Sequence, residues 1–293
     1  MGGKLAENSS SSDSCSTLVQ RFAERAYGVG TKPELAMVRL VKRLARTQRG
    51  RTAVQAMERF LRCRKIIQVD RVPDLDCDGT IRPLGNKFNA GFQIAVNSRC
   101  TLGRYRFTVA HELCHTFFYE LVPELKFQAH NIDPHEERIC NLGAAELLMP
   151  SPDIKKRSHG LNVSLDSLAY LASASEVSIE AMLLRLRSLG LWHSELTVWH
   201  RMTGGKFSLR RMIGGRKVEW NWSDASLPQK AWETGRNISG RTFVQYPTAE
   251  GGYLLRAVSF EVVRRGMSLI ALWSHPHTHP NYSRFPLLSQ ARG

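Results

Sequence analysis

The chain contains no run of about 18 consecutive apolar residues, the length a membrane-spanning helix requires, so nothing in it reads as a membrane span. Its Ser-rich beginning, Met1 to Ser16, lacks the apolar stretch of a secretory signal. That segment reads as a disordered lead-in, and the protein is placed in the cytoplasm. No Cys-x-x-Cys pair occurs among Cys15, Cys63, Cys77, Cys100, Cys114 and Cys140. A cysteine-built zinc finger is thereby excluded, and chain length and compartment argue against a disulfide framework. Internal repeats are also lacking. Acidic residues are short against basic ones, 26 to 41, and the shortage is local. Residues 31–71 carry 12 basic and 3 acidic groups, and residues 196–293 carry 14 and 5, whereas residues 72–195 carry 12 and 15. A mildly acidic centre thus lies between basic flanks. Such flanks can attract nucleic acid or an acidic partner, although a solvated basic surface gives the same count.

At 293 residues the chain exceeds what one hydrophobic core usually serves. Residues 17–150 read as a mixed α+β domain. Apolar residues from Pro33 to Lys65 recur at helical spacing, with a break near Gly50. A short β run follows at Ile66–Val69, then an acidic turn from Asp74 to Gly79. Gly91–Asn97 alternates Phe92, Ile94 and Val96 against Gln93 and Ala95, the pattern of a half-buried strand. Thr101 is placed to cap a helix from about Leu102 to Tyr119. A second helix runs from about Pro134 to Leu148 and stops at Met149-Pro150, because proline cannot continue it. Residues 151–195 read as a helical segment with helix-turn-helix rhythm from Ser164. Residues 196–293 form a β-rich domain with a disordered tail. It carries all six tryptophans if Trp192 at its border is counted, and a core role is the default for them. His275, His277 and His279 could bind metal there, but their place near a proline-locked C-terminus favours a solvated tail.

The chemistry lies in His111-Glu112-Leu113-Cys114-His115, an HExxH pattern. On a helix, residues i and i+4 share a face, so two imidazoles can bind one divalent ion while the glutamate between them addresses its open position. The apolar neighbours Val109, Ala110, Leu113, Phe117 and Phe118 bury this helix, where a carboxylate without a task would be costly. A catalytic zinc ion wants three protein ligands. The second helix offers Glu136, Glu137 and Glu146 as the third. Glu137 is favoured, because Glu137, Asn141, Ala144 and Leu148 share one stripe, and Glu136 is second. His130 and His135 are rival ligands on the intervening loop. Zinc is the expected ion, with manganese the alternative.

Two joined motifs resemble the ImmA/IrrE metallopeptidases. The first is Arg104-x-Arg106-Phe107-Thr108-x-Ala110-His111-Glu112-Leu113-x-His115. The second is Glu137-x-x-Cys140-Asn141-x-x-Ala144-Ala145-Glu146-Leu147-Leu148-Met149-Pro150. The resemblance implies a zincin-like fold, with helices packed on a small sheet. It implies His111, His115 and Glu137 as metal ligands and Glu112 as general base. The partner it implies is a helix-turn-helix repressor, cleaved in stress response or mobile-element control. Three positions depart from the family pattern. Cys114 stands where HELGH has glycine, Cys140 where alanine precedes asparagine, and Gly143 where phenylalanine is usual. Cys114 and Cys140 could face each other as a redox pair, or simply fill a tight helix contact.

The expected reaction is metal-dependent endopeptidase cleavage, in which Glu112 accepts the water's proton and passes it to the leaving amine. An extended substrate is expected to pair with Gly91–Asn97 by strand addition. Arg104 and Arg106 are more readily explained by ion pairs within the domain than by oxyanion binding. The competing reading is a DNA-binding or antirepressor module, using residues 165–190 and the basic flanks around a structural metal. Arg185 and Arg187 are the only cations of its second helix, which argues against major-groove reading. Degradation of general peptides is a third, weaker reading.

Overall fold

The computed structural model describes residues 11–46, 53–85, 88–122, 133–214, 226–247 and 253–275. The chain divides into two compact units, Met1–Pro150 and Ser151–Gly293, and its architecture is mixed α+β.

In the first unit, α1 (Ser11–Tyr27), α2 (Pro33–Arg46) and α3 (Ala53–Cys63) precede a small sheet, followed by α4 (Leu102–Leu121) and α5 (Pro134–Leu148). Ser11–Ser16, expected to be disordered, belong to α1. The cause is the apolar triplet Val19, Phe22 and Ala23 at i, i+3 and i+4, all buried. Phe22 stacks on Phe118 of α4 at 4.1 Å, and Arg25 donates to the carbonyl of Leu121 at the end of that helix. Burying a phenylalanine stabilises by roughly 1.5–3 kcal/mol, enough to order a helix whose first turn is polar.

The sheet order is β1-β3-β2, from β1 (Ile66–Val72), β2 (Gly79–Pro83) and β3 (Phe92–Asn97). Phe92, Ile94 and Val96 are buried on one face, as their alternation predicts. On the other face, Arg82 and Asp70 both bond to the side chain of Gln93. β3 pairs with β1 in parallel and with β2 antiparallel. This overturns the expectation that Gly91–Asn97 receives a substrate strand, because both of its edges are already hydrogen-bonded. The period-2 pattern identifies a half-buried strand but not its place in the sheet. Among the described residues, the strand with an open edge on the α4 side is β2, which the sequence reading left unassigned beyond the turn ending at Gly79.

Arg64 ties the end of α3 to α4. It donates to Thr116 Oγ1 at 2.8 Å, pairs with Glu120 at 2.7 Å and lies 3.9 Å over the ring of Phe117. Asp78 accepts hydrogen bonds from two guanidinium nitrogens of Arg104, Nε and Nη2, fixing the acidic turn to the start of α4. Arg104 thus has the ion-pair role expected of it.

The second unit holds α6 (Ser151–Ser158), α7 (Leu165–Ala174), α8 (Ile179–Ser188), α9 (Ser226–Thr234) and a five-stranded sheet. The sheet order is β5-β4-β8-β7-β6, from β4 (Ser194–Arg201), β5 (Phe207–Ile213), β6 (Ile238–Pro247), β7 (Tyr253–Arg265) and β8 (Ser268–Ser274). Residues 151–195 and 196–293, expected as separate domains, share this unit. Glu261 of β7 accepts the amide of Leu165 at the start of α7, at 2.7 Å. One sheet face is covered by α9, which the β-rich reading did not anticipate. Trp199, Trp232, Val262, Ala271 and Trp273 meet in its core. Trp199 and Trp273 both donate their indole N–H to Thr197 Oγ1, at 2.8 and 2.6 Å. These tryptophans are core residues. The expected strand at Val218–Trp222, the rival ligand His130, and His277 and His279 lie outside the described residues.

Two of the departures from the family pattern meet in space. A Cβ built on Gly143 would stand 2.7 Å from Cys114 Sγ and 2.8 Å from Met37 Cγ. The volume that α5 lacks at Gly143 is therefore occupied partly by Cys114 from α4. Gly143→Ala gains helix propensity of about 1 kcal/mol but forces overpacking that costs about 1–3 kcal/mol. We expect a net loss of roughly 1 kcal/mol in chemical denaturation. The double variant Cys114→Ala/Gly143→Ala should recover most of it. Equal stability of Gly143→Ala and the parent would show that this contact relaxes freely.

Candidate metal centre

α4 begins at Thr101, whose hydroxyl accepts the amide of Arg104, and it buries Val109, Ala110, Leu113, Phe117 and Phe118. That burial fixes the helix's rotation, so His111 and His115, one turn apart, both face α5. α5 begins with Asp133 as cap and Pro134 in its first turn, which places Glu136 and Glu137 at its N-terminal end. It ends at Met149 before Pro150, as expected.

α5 brings three side chains to the two imidazoles of α4. His111 Nε2 and His115 Nε2 lie 3.1 Å apart. Glu137 places one carboxylate oxygen 3.2 Å from His111 Nε2 and the other 3.2 Å from His115 Nε2. On the opposite ring edges, His111 Nδ1 is 3.0 Å from Asn141 Oδ1, and His115 Nδ1 is 2.7 Å from Glu136 Oε1. Both Nδ1 atoms thus face acceptors, which leaves the Nε2 lone pairs turned toward one another and toward Glu137.

This donor set fits a small divalent cation. Ligands at about 2.0–2.1 Å from a tetrahedral zinc ion stand about 3.3 Å from one another, close to the separations seen here. Two facing lone pairs and a carboxylate repel unless a cation or proton lies between them. His111, His115 and Glu137 form a cluster able to hold an ion. A second such cluster comprises His115, Glu136 and Cys140.

The other candidates are disposed differently. Glu146 is buried and pairs with Lys42 of α2 at 3.6 Å. His135 is exposed and joins neither ligand cluster among the described residues. Glu112 is 6% exposed. Burial raises its carboxyl pKa, the His115 and His111 rings oppose the rise, and the charge of Glu137 adds to it. Glu137 is shifted well downward: its two imidazole partners outweigh the opposing effect of its partial burial. The two carboxyls are therefore driven apart, one toward holding a proton and one toward holding a cation.

Cys114 and Cys140 are fully buried and free. Burial pushes the Cys114 thiol far up and the Cys140 thiol up to about 12. Burial of both thiols disfavours the thiolate form and limits access to oxidants. Cys114 packs against Gly143, whereas Cys140 also lies against the His115 ring.

Three contributors escaped the sequence reading: Asn141 and Glu136 as acceptors for the imidazoles, and Gly79. A Cβ on Gly79 would collide with Thr108 Cγ2 and stand 3.2 Å from Glu112 Oε1. The i, i+4 pairs Glu137–Asn141 and Glu136–Cys140 were visible signals, because they define two adjacent stripes on α5. Gly79 was marked by its Asp-Gly turn, but nothing local tied it to Glu112.

With this geometry the chain can be compared with known proteins. Residues 80–187 match the family profile of the IrrE N-terminal-like domain, a peptidase family. That segment contains both motifs and is similar to the ImmA/IrrE metallopeptidases. Among curated proteins, the chain is similar to the radiation response metalloprotease IrrE of Deinococcus radiodurans, 32% identical over 98 residues. It is also similar to the protein of the same name from Deinococcus deserti, 31% identical over 116 residues. These alignments span 32% and 36% of this chain, and 30% and 41% of the relatives' own lengths. A solved Mycobacterium tuberculosis transcriptional regulator superposes over 94% of this chain and 99% of its own, at 13% identity and a TM-score of 0.47.

The cluster predicts that the purified protein takes up one divalent ion from zinc or cobalt in equilibrium dialysis. Glu137→Ala should weaken that uptake on the order of 100-fold or more, outer-shell losses being 10–100-fold. Unchanged uptake by Glu137→Ala would remove it from the ligand set.

Proposed function

We propose that the chain is a metal-dependent endopeptidase with His111, His115 and Glu137 as ligands and Glu112 as general base. The observation that carries this reading is the triangle of His111 Nε2, His115 Nε2 and the Glu137 carboxylate, with a buried carboxyl, Glu112, beside it. A bound zinc ion, or manganese, would supply a Lewis acid for the scissile carbonyl and a readily deprotonated water. Glu112 takes the proton of the attacking water on its carboxylate and delivers it to the leaving amine nitrogen. Burial raises its carboxyl pKa, which makes its carboxylate a better proton acceptor. The wall of packed apolar residues on α4 excludes bulk water from the rear of the site.

The open edge of β2 is the place for an extended substrate, in the antiparallel or parallel sense of strand addition. β2 begins at Gly79, beside Glu112, so a chain paired there passes the proton carrier. Gly79 lets the start of β2 pack directly against Thr108 and Glu112 of α4. The fitting substrate class is a protein able to present an extended segment, and the family resemblance points to a helix-turn-helix repressor.

The DNA-binding alternative lacks support where it would need it most. Arg185 of α8 is buried and bonds to Ser151 Oγ at 3.1 Å. Arg187 donates to the carbonyl of Ser194 at 2.5 Å. The helix that would enter the major groove thus turns both of its cations inward.

Co-expression with helix-turn-helix repressors encoded beside its gene, followed by mass spectrometry of fragments, tests the protease. Cleavage by the parent and a loss on the order of 10²–10⁴ in rate for Glu112→Gln, with metal content kept, is the expected result. Equal cleavage by Glu112→Gln would exclude it as the base. DNA retention without cleavage by either protein would favour the binding module. Separately, Gly79→Val should displace the Glu112 carboxylate and obstruct β2, cutting hydrolysis at least about 10-fold while metal content stays at the parental value. Full activity of Gly79→Val would place the substrate elsewhere.

A further inference from the structure

Glu136 and Glu137 are adjacent in sequence, yet on a helix their side chains diverge by about 100°. They therefore serve different edges of the same histidine pair. Glu137 shares a stripe with Asn141, and this stripe serves His111: Glu137 at Nε2, Asn141 at Nδ1. Glu136 shares a stripe with Cys140 and meets His115 at Nδ1, at 2.7 Å. The Glu136 and His115 side chains are only 15% and 12% exposed, so water competes poorly for this bond.

We propose that Glu136 is a positioning residue: its carboxylate accepts the Nδ1–H of His115, locks the ring and its tautomer, and thereby sets the affinity of the centre for a divalent ion. This inference rests on the reading of His111, His115 and Glu137 as the ligands. An imidazole is symmetrical enough to turn over about its Cβ–Cγ bond, and it carries its proton on either nitrogen. His115 binds a cation through Nε2 only when the proton sits on Nδ1. Glu136 selects that form, as Asn141 does for His111. The two partners differ in charge: a carboxylate behind His115 makes that ring the stronger donor, whereas the amide behind His111 only orients it.

The rival arrangement makes Glu136 itself a ligand, in the cluster with His115 and Cys140. The 2.7 Å separation between Nδ1 and Oε1 speaks against it. It is a hydrogen-bond length, shorter than the about 3.3 Å kept by two ligands of one tetrahedral ion. The rival would also turn His115 away from His111, leaving the Nε2 triangle without a purpose.

The test is competition titration of the metal-free full-length protein with Co²⁺ against a chelator, read by visible absorption. The parent should bind one Co²⁺ with ligand-field bands and no thiolate charge-transfer band. Glu136→Leu and the smaller truncation Glu136→Ala should keep the shape of that spectrum and weaken binding about 10–100-fold. Glu136→Gln, which retains an oxygen to accept Nδ1–H, should recover most of the affinity. Far-UV circular dichroism of the metal-free variants should match the parent. Parental affinity in both truncations, or no recovery by glutamine, overturns the inference. So does a thiolate band in the parent that Cys140→Ser removes, or an altered ligand field in Glu136→Leu, either of which would make the rival cluster the metal seat. Failure of the parent to bind Co²⁺, or binding unaffected by His111→Ala, overturns the underlying metal centre and this inference with it.

Discussion

Everything at the candidate centre depends on how closely α4 and α5 approach. A carboxylate from one helix reaches between two imidazoles of the other only if the facing positions are small. Ala110, Cys114, Cys140, Gly143 and Ala144 supply that contact, and all except Gly143 are fully buried apolar or thiol side chains. Gly143 accommodates both Cys114 and Met37, which also brings α2 against α5. Close-packed interiors transmit volume changes rather than absorbing them. A methyl group added several residues from any ligand would therefore be felt at the Nε2 triangle. The unusual residues of this chain make sense as a pair on that account: the family's bulk at one position and absence of bulk at the other are exchanged across the same contact.

Close approach concentrates negative charge, and the fold disposes of each carboxyl separately. Glu146 is neutralised by Lys42. Glu136 is spent on the outer nitrogen of His115, and Glu137 faces the inner nitrogens of both rings. Glu112 is pressed by burial toward its protonated form, against the opposing effect of the His115 and His111 rings. Four glutamates with the same chemistry thus hold four different roles. What separates them is depth and direction on two helices.

The centre was legible in sequence to the extent that its geometry is local. His111 and His115 lie on one helical face by spacing alone, and the reach of Glu137 follows from a stripe on a helix bounded by Pro134 and Pro150. The roles of Glu136 and Asn141 depend on rotation of one helix about another, which no single-helix pattern encodes. The same limit explains the misplaced substrate strand. Alternation in Phe92–Asn97 reports which face is buried, whereas the order β1-β3-β2 is decided by pairing between segments distant in sequence. α1 was missed because its serines dominate composition while three apolar side chains decide its burial. α9 was missed because a nine-residue helix between strands is set by Trp232 packing on the sheet.

Charge shows most plainly why composition underdetermines function. The basic segments invite a polyanion reading, yet many of their cations are engaged within the fold. Arg64 lies buried between Thr116, Glu120 and the Phe117 ring. Arg201 and Arg264 lie over Trp232, and Arg264 also donates to the carbonyl of Trp232. An arginine in such a place stabilises through stacking and hydrogen bonding and offers little to a phosphate. The net charge still creates a long-range field, but that field is screened beyond about 8–10 Å at physiological salt. Recognition of nucleic acid would need cations free to reach a groove, and α8 turns its two arginines inward. The candidate metal centre depends instead on a handful of atoms within hydrogen-bonding distance of one another, where neither screening nor composition matters.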